Sequence, residues 1–155
     1  MVMKKIFLSA FVALGSIVAF GQAQINNQTA EQKLNEQYCT GLFKSANGII
    51  LDLENSPAAG AYSNILDWLD SRVAGLKVYK TRSGIRIPYI RNQVASIFVD
   101  EQEVKASYLN SLAASDIAMI KVIRSPFFGG FNAGAGAIAI YTFGADTDNE
   151  SNDGK

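Results

Sequence analysis

The sequence contains no histidine, one cysteine, one tryptophan and three prolines in 155 residues. Without histidine there is no Ser–His or Cys–His nucleophile pair, no histidine zinc ligand and no imidazole base poised near neutral pH. Cys39 stands alone, so no internal disulfide forms, and its plain reading is a partly buried helix residue. Charge of neither sign dominates, with 14 basic and 14 acidic side chains. That balance excludes a strongly basic nucleic-acid binder, and no polybasic patch offers a grip on a lipid surface. After the first apolar run no second one is long enough to cross a membrane as a helix.

That first run opens the chain. Lys4 and Lys5 precede an apolar stretch from Ile6 to Phe20, and small residues follow at Gly21 and Ala23. This is the layout of a secretory signal peptide over residues 1–23, cleaved after Ala23 or after Gly21, with a retained membrane anchor as the other reading. Its removal leaves 12 basic against 14 acidic side chains, a net charge of −2. The remaining length and apolar content suit one domain with one core. Residues 145–155, acidic and without large apolar side chains, are expected to be a disordered tail.

Between these ends the pattern alternates helix and strand. Thr29 and Gln32 form a capping box ahead of Leu34, Tyr38 and Leu42, which predicts a helix over residues 30–45 within an N-terminal helical extension, residues 24–48. Residues 49–53 form a short apolar segment that ends in a turn cluster. In residues 63–75, Ser63 is placed to cap, Ile65, Leu66, Leu69 and Val73 form a stripe around Trp68, and Gly75 closes a second helix. Five strands are predicted over residues 76–80, 85–91, 96–99, 119–123 and 137–143. Pro88 restricts the second of them to an edge or a bulge. Residues 106–118 read as helical turns with Tyr108, Leu109 and Leu112 inward.

The stretch SPFFGGFNAGAGAIAIYTFG, residues 125–144, raises the question of a phosphate loop. Such a loop needs glycines after a strand and before a helix, so that free amides and the helix dipole face the anion. Here the glycines precede a strand, G-x-G-x-x-G is absent and no lysine follows Gly134 in the Walker manner. The expected role is conformational: a sharp turn, and close packing of backbone against the sheet. Asp67, Asp70, Asp100, Glu101, Glu103 and Asp116 fall where solvated faces and turns are expected. Asp52 and Glu54 alternate on one face, but nothing completes a calcium loop. No catalytic, cofactor-binding or metal-ligating residue emerges.

The order of segments is informative: NILDWLDSRVAGLKV, IRIPYIRN, SIFVDEQEV, LAASDIAMIKVIRSP, the glycine loop, then GAIAIYTFG. Residues 49–144 resemble the plug domain of TonB-dependent outer-membrane receptors, especially the forms abundant in Bacteroidetes. Residues 71–76 resemble the family's "grvpGv" helix end. Ile90, Arg91 and Asn92 resemble its "iRG" strand end, and residues 99–104 its "vDG-pv" hairpin. Residues 112–124 resemble the "dIe-ievlkg" run, and residues 136–142 the closing "G-I-I-T" strand. The resemblance implies an α+β fold, a small mixed β-sheet of about four to five short strands flanked by helices, which sits inside a large β-barrel in the family. Asn92 and Glu101 stand where the family has glycine. Asparagine tolerates the left-handed conformation and glutamate tolerates it poorly, so the second hairpin is expected to be reshaped. The sequence holds neither barrel strands nor a recognisable TonB-coupling box.

These features lead to a non-enzymatic plug-like protein of the cell envelope, exported to the periplasm or the periplasmic face of the outer membrane. It needs no cofactor and acts through contacts with an outer-membrane receptor or another envelope partner. A soluble periplasmic module that binds a small ligand around Arg82, Arg86, Tyr89 and Arg91 is the alternative, with a solvated edge strand as the plain reading of those residues. A truncated receptor remnant is the remaining one. A plug acting alone should present polar faces with no apolar patch beyond a few hundred Å², so a bare apolar surface would point to a partner.

Overall fold

The computed structural model describes residues 29–70, 72–124, 126–129 and 134–144; the expected signal segment, the acidic tail and positions 130–133 of the glycine loop lie outside them. In chain order the elements are α1 (Ala30–Tyr38), α2 (Gly41–Ser45), β1 (Ile49–Asp52), α3 (Ile65–Leu69), β2 (Leu76–Lys80), β3 (Arg86–Ile90), β4 (Gln93–Val94), β5 (Ser96–Val99), β6 (Gln102–Val104), β7 (Ile117–Ile123) and β8 (Ala137–Thr142). Short 3-10 turns at Pro57–Ala61, Ala106–Asn110 and Ala114–Asp116 link them.

The strands form two sheets. The larger has the order β1-β7-β8-β5-β6 and the smaller the order β2-β3-β4. The larger is mixed: β5 and β8 run parallel, with Ile97 opposite Ile138 and Val99 opposite Ile140, and its other pairs are antiparallel. The α+β class with a small mixed sheet is therefore observed, with a second, three-stranded antiparallel sheet beside it.

Period-two alternation sends the side chains of the larger sheet into two cores. Ile97, Val99, Ile120, Val122, Ile138 and Ile140 face α3 and the smaller sheet, together with Leu66, Leu69, Leu76 and Ile90. Phe98, Met119, Ile123, Ala137, Ala139 and Tyr141 face the other way, where Tyr38 of α1, Phe43 of α2, Cys39 of the bend between them and Phe127 cover them. Phe43, Phe98 and Phe127 form a mutual cluster with centroids 4.9 to 5.6 Å apart. The alanines on this face let short helices approach closely. Double-sided burial explains why every residue of β5 and β7 is buried.

Several elements depart from the sequence expectation. The helix over residues 30–45 is two helices, because Cys39 and Thr40 are extended and Gly41 takes φ +42. The chain thus bends so that Phe43 reaches the sheet, whereas Leu42 turns outward and is 52% exposed. The second helix is only α3. Its cap is Asn64, not Ser63: the Asn64 side chain accepts from Leu66 N at 3.0 Å and donates to Leu109 O at 3.1 Å. Asp70 ends α3 by turning its carboxylate to Val78 N at 2.6 Å, which occupies the outer edge of β2. Tyr108 points outward, half exposed, while Leu109 is fully buried. Strands β1, β4 and β6 join the five predicted from alternation; each has four residues or fewer. Pro88 sits in the middle strand of the smaller sheet, yet its position is lawful: Ala95 N donates to Pro88 O at 3.0 Å, and β4 ends at Val94, just before the residue that would need an amide from Pro88.

The hairpin at Asp100 and Glu101 is not reshaped. Val99 pairs with Gln102, and both turn residues are left-handed, at φ 47 and 64, like Arg91 and Asn92 at φ 52 and 66 in the β3–β4 hairpin. Left-handed non-glycine residues cost on the order of 1 kcal/mol each, and side-chain bonds offset that here. Asp100 accepts from Thr142 N and Oγ1, both at 2.9 Å. Glu101 accepts from Thr40 N at 2.6 Å, from Thr40 Oγ1 and from Tyr141 OH at 3.1 Å. These carboxylates tie three parts of the chain together, a role that an expectation of solvated turn residues missed.

Candidate functional site

The residues that sequence reasoning grouped as a binding loop do not converge. Arg82 lies in the exposed β2–β3 turn, which Thr81 Oγ1 closes by accepting from Ile85 N at 3.0 Å. Arg86 is committed to Asp67, with Nε 2.7 Å from Oδ1 and Nη2 2.6 Å from Oδ2. This two-pronged bond raises the basicity of Arg86 and makes it a strut between β3 and α3. Tyr89 stacks edge-on against Tyr79 at 5.2 Å. Arg91 sits at the opposite end of β3 from Arg82, about 16 Å along a strand of this length.

Arg91 instead lines a pocket together with Arg124, which sequence reasoning had not singled out. The two line a pocket of about 270 Å³ with Asn47, Gly48 and Ile49. The β3–β4 turn positions Arg91: its backbone is left-handed and its N–H donates to Gly75 O at 3.2 Å. Arg124 follows directly on β7, and its Nη1 donates to Ala74 O at 3.3 Å. Among the described residues neither Arg91 nor Arg124 joins an ion pair, unlike Lys44 with Glu36 and Arg86 with Asp67. Two exposed arginines lining one small pocket offer it cationic groups that would favour an anionic ligand there. Each offers a planar donor fork suited to a carboxylate.

The smaller sheet adds an apolar surface. Lys77, Tyr79, Ile85, Ile87, Tyr89 and Val94 share its outward face by register, with Tyr79 62% exposed and Val94 38%. Ile85, Ile87 and Val94 continue into a groove of about 550 Å³ walled on the other side by Ile97, Val104 and Ala106. Apolar side chains stand uncovered on this outer face. The physical reason is that only Leu76, Pro88 and Ile90 of this sheet turn inward as fully buried residues, which leaves the alternate side chains uncovered.

The described glycines of the loop have the conformational role. A Cβ on Gly136 would lie 2.4 Å from Ile123 O and 2.7 Å from Ile90 Cδ1, so only glycine permits this approach of strand to strand. Gly134 turns the chain at φ +94, and Phe127 N donates to Ala135 O at 3.0 Å. Cys39 is buried, and burial pushes its thiol above the ordinary range. Lys121 is also buried, held by Asn35 Oδ1 and Phe43 O, both at 2.6 Å, and burial pushes its ammonium downward. Among the described residues no group of histidine, cysteine, aspartate or glutamate has the arrangement of a metal site. No described helix is long and apolar enough to cross a membrane.

No protein-family model matches the sequence, and no curated protein matches it. Solved structures do match in fold. One is the RagAB peptide importer in its open-open state, with 19% identity over 63% of this chain and a TM-score of 0.51. Another is the ferric yersiniabactin uptake receptor FyuA from Yersinia pestis, with 16% identity over 70% and a TM-score of 0.52. A third is the siderophore receptor PirA from Acinetobacter baumannii, with 18% identity over 74% and a TM-score of 0.53. The matched region spans 12%, 19% and 18% of those chains, respectively. These neighbours are uptake receptors and transporters rather than enzymes. In fold, the chain is similar to a plug-domain-like segment of TonB-dependent receptors.

Proposed function

We propose that this chain is a non-enzymatic, plug-like module of the cell envelope that works by protein contact, with an outer-membrane receptor or another envelope protein as its partner. The observation that carries this reading is the pocket shared by Arg91 and Arg124, whose two guanidiniums join no ion pair among the described residues. A partner surface with one or two acidic side chains would complete it, and desolvation on docking strengthens such charge-assisted bonds. The likeness in fold to a peptide importer, an uptake receptor and a siderophore receptor supports this reading. Export through an N-terminal signal peptide supplies the route to the periplasm or to the periplasmic face of the outer membrane.

The test is affinity capture from envelope fractions at low and at moderate salt, with the unaltered chain and with R91E/R124E. The unaltered chain should retain a β-barrel receptor or another envelope protein, more strongly at low salt. The double variant should fold with the same thermal midpoint and lose that partner. A monomer that recovers nothing in either salt, or capture indifferent to the charge reversal, would sink the proposal.

The apolar groove favours a second reading, a small-ligand module, because about 550 Å³ of mostly apolar lining lies within the range of ligand pockets. Thermal shifts against a panel of small apolar compounds separate the two: a ligand that raises the midpoint in the R91E/R124E variant as well would support the groove alone.

A further inference from the structure

Two separate cores meet at the larger sheet, and only one of them includes the N-terminal helices. The core that contains α3 draws no residue from positions 30–46. The other takes Tyr38, Cys39 and Phe43 from that segment, with Leu34 and Ala46 packed beside them. Helices of nine and five residues do not stand alone in water, so their order depends on this contact. The contact is fastened at two polar points. Glu101, in its left-handed turn, accepts from Thr40 N and Thr40 Oγ1 at the bend between α1 and α2, and from Tyr141 OH on β8. Lys121 projects from β7 and donates to Asn35 Oδ1 on α1 and to Phe43 O on α2. Asn35 Nδ2 in turn donates to Lys44 O at 3.2 Å, which links the helices to each other.

We infer that residues 30–46 form a cover over the alanine-lined face of the larger sheet. The cover is latched by Glu101 and Lys121 and opens as one unit while the core around α3 stays closed. The geometry makes the opening cooperative. Both latches lie at the bend or across the two helices, so losing one frees the ends of both. The face laid bare carries Ala118, Ala137, Ala139, Phe98 and Tyr141, and Cys39 comes into water with the cover. The sheet keeps its strand pairing and its other core throughout, the condition for local rather than global opening.

The full chain tests this without added partners. Cys39 is the only thiol, so its rate of reaction with a water-soluble aromatic disulfide reports the opening. Labelling should exceed the rate set by global unfolding and depend on urea only weakly. By hydrogen exchange, amides of residues 30–46 should exchange at one common rate, faster than those of β5, β7 and β8. Glu101→Gln and Lys121→Met should each speed labelling at least about tenfold, since each weakens bonds to a charged group, with the urea midpoint of the sheet little changed. Labelling that follows global unfolding in its urea dependence, or exchange of residues 30–46 no faster than that of β7, would overturn the inference. Because the exchange measurement needs no substitution, a variant that fails to fold leaves the test intact.

Discussion

The two faces of the larger sheet use the same strands for different ends. The face toward α3 is built from branched aliphatic side chains, with Ile120, Val122, Ile138 and Ile140 fully buried. The opposite face mixes alanines and aromatic rings with Cys39, Lys121 and Tyr141, and carboxylates bind its edges. The first is held by apolar area, which is non-directional and costly to disrupt anywhere. The second adds to its alanine and aromatic packing a few directional bonds, each removable singly. The difference sets where opening is expected: at the face whose cover is fastened by these bonds, rather than at the aliphatic face.

Four measurements break or sharpen this contrast. The largest effect is expected from Ile140→Ala on the aliphatic face, a loss of about 2–5 kcal/mol in urea unfolding; a loss below that of a second-face substitution such as Met119→Ala would reverse the ranking. Next is Gly136→Ala, where the added methyl meets the Ile123 carbonyl; strain of about 1–3 kcal/mol should lower the thermal midpoint. Tyr141→Phe removes one donor to Glu101 and should cost about 0.5–1.5 kcal/mol, read as faster Cys39 labelling more than as a lower midpoint.

The smallest effect is on the pH profile. Burial raises the Cys39 thiol and the Tyr141 phenol above their ordinary values, so the stability each contributes is intact below the unfolded value and is lost as pH climbs past it, from pH 9.0 for the thiol and pH 10.0 for the phenol. Burial lowers Lys121, so the unfolded chain holds that proton more tightly and this contribution rises with pH up to 10.5. Unfolding free energies from pH 8 to 11 should therefore fall less steeply with pH in Tyr141→Phe than in the unaltered chain. In Lys121→Met they should fall more steeply, because the opposing gain is gone. Identical slopes in all three would show that these groups titrate as in the unfolded chain.

Much of the fold was legible in the sequence, and the legible parts share a cause. The five predicted strands and the capping box at Thr29 rest on local pattern, which is written in neighbouring residues. Strand β4, of two residues, carries too few alternations to show a period, whereas β1 and β6 were marked only as an apolar segment over residues 49–53 and as one arm of the hairpin resemblance over residues 99–104. The extent of α3 was misjudged because Asp70 is claimed by Val78, a bond made only after β2 folds beside it. The candidate site was legible in one residue of two. Arg91 was marked by its hairpin, whereas Arg124 gained meaning only when β7 ended beside that turn.

What the sequence alone determined is the want of reactive chemistry based on histidine, the strand content, and the order of segments that gives the plug-like resemblance, since composition and local pattern need no partner in space. Tertiary structure alone decided that Lys121 and Cys39 are buried, that Glu101 keeps a left-handed turn, and that Arg91 and Arg124 share a pocket. Each of these depends on groups dozens of residues apart, and contact at that separation is set by how the sheets pack rather than by any neighbour along the chain.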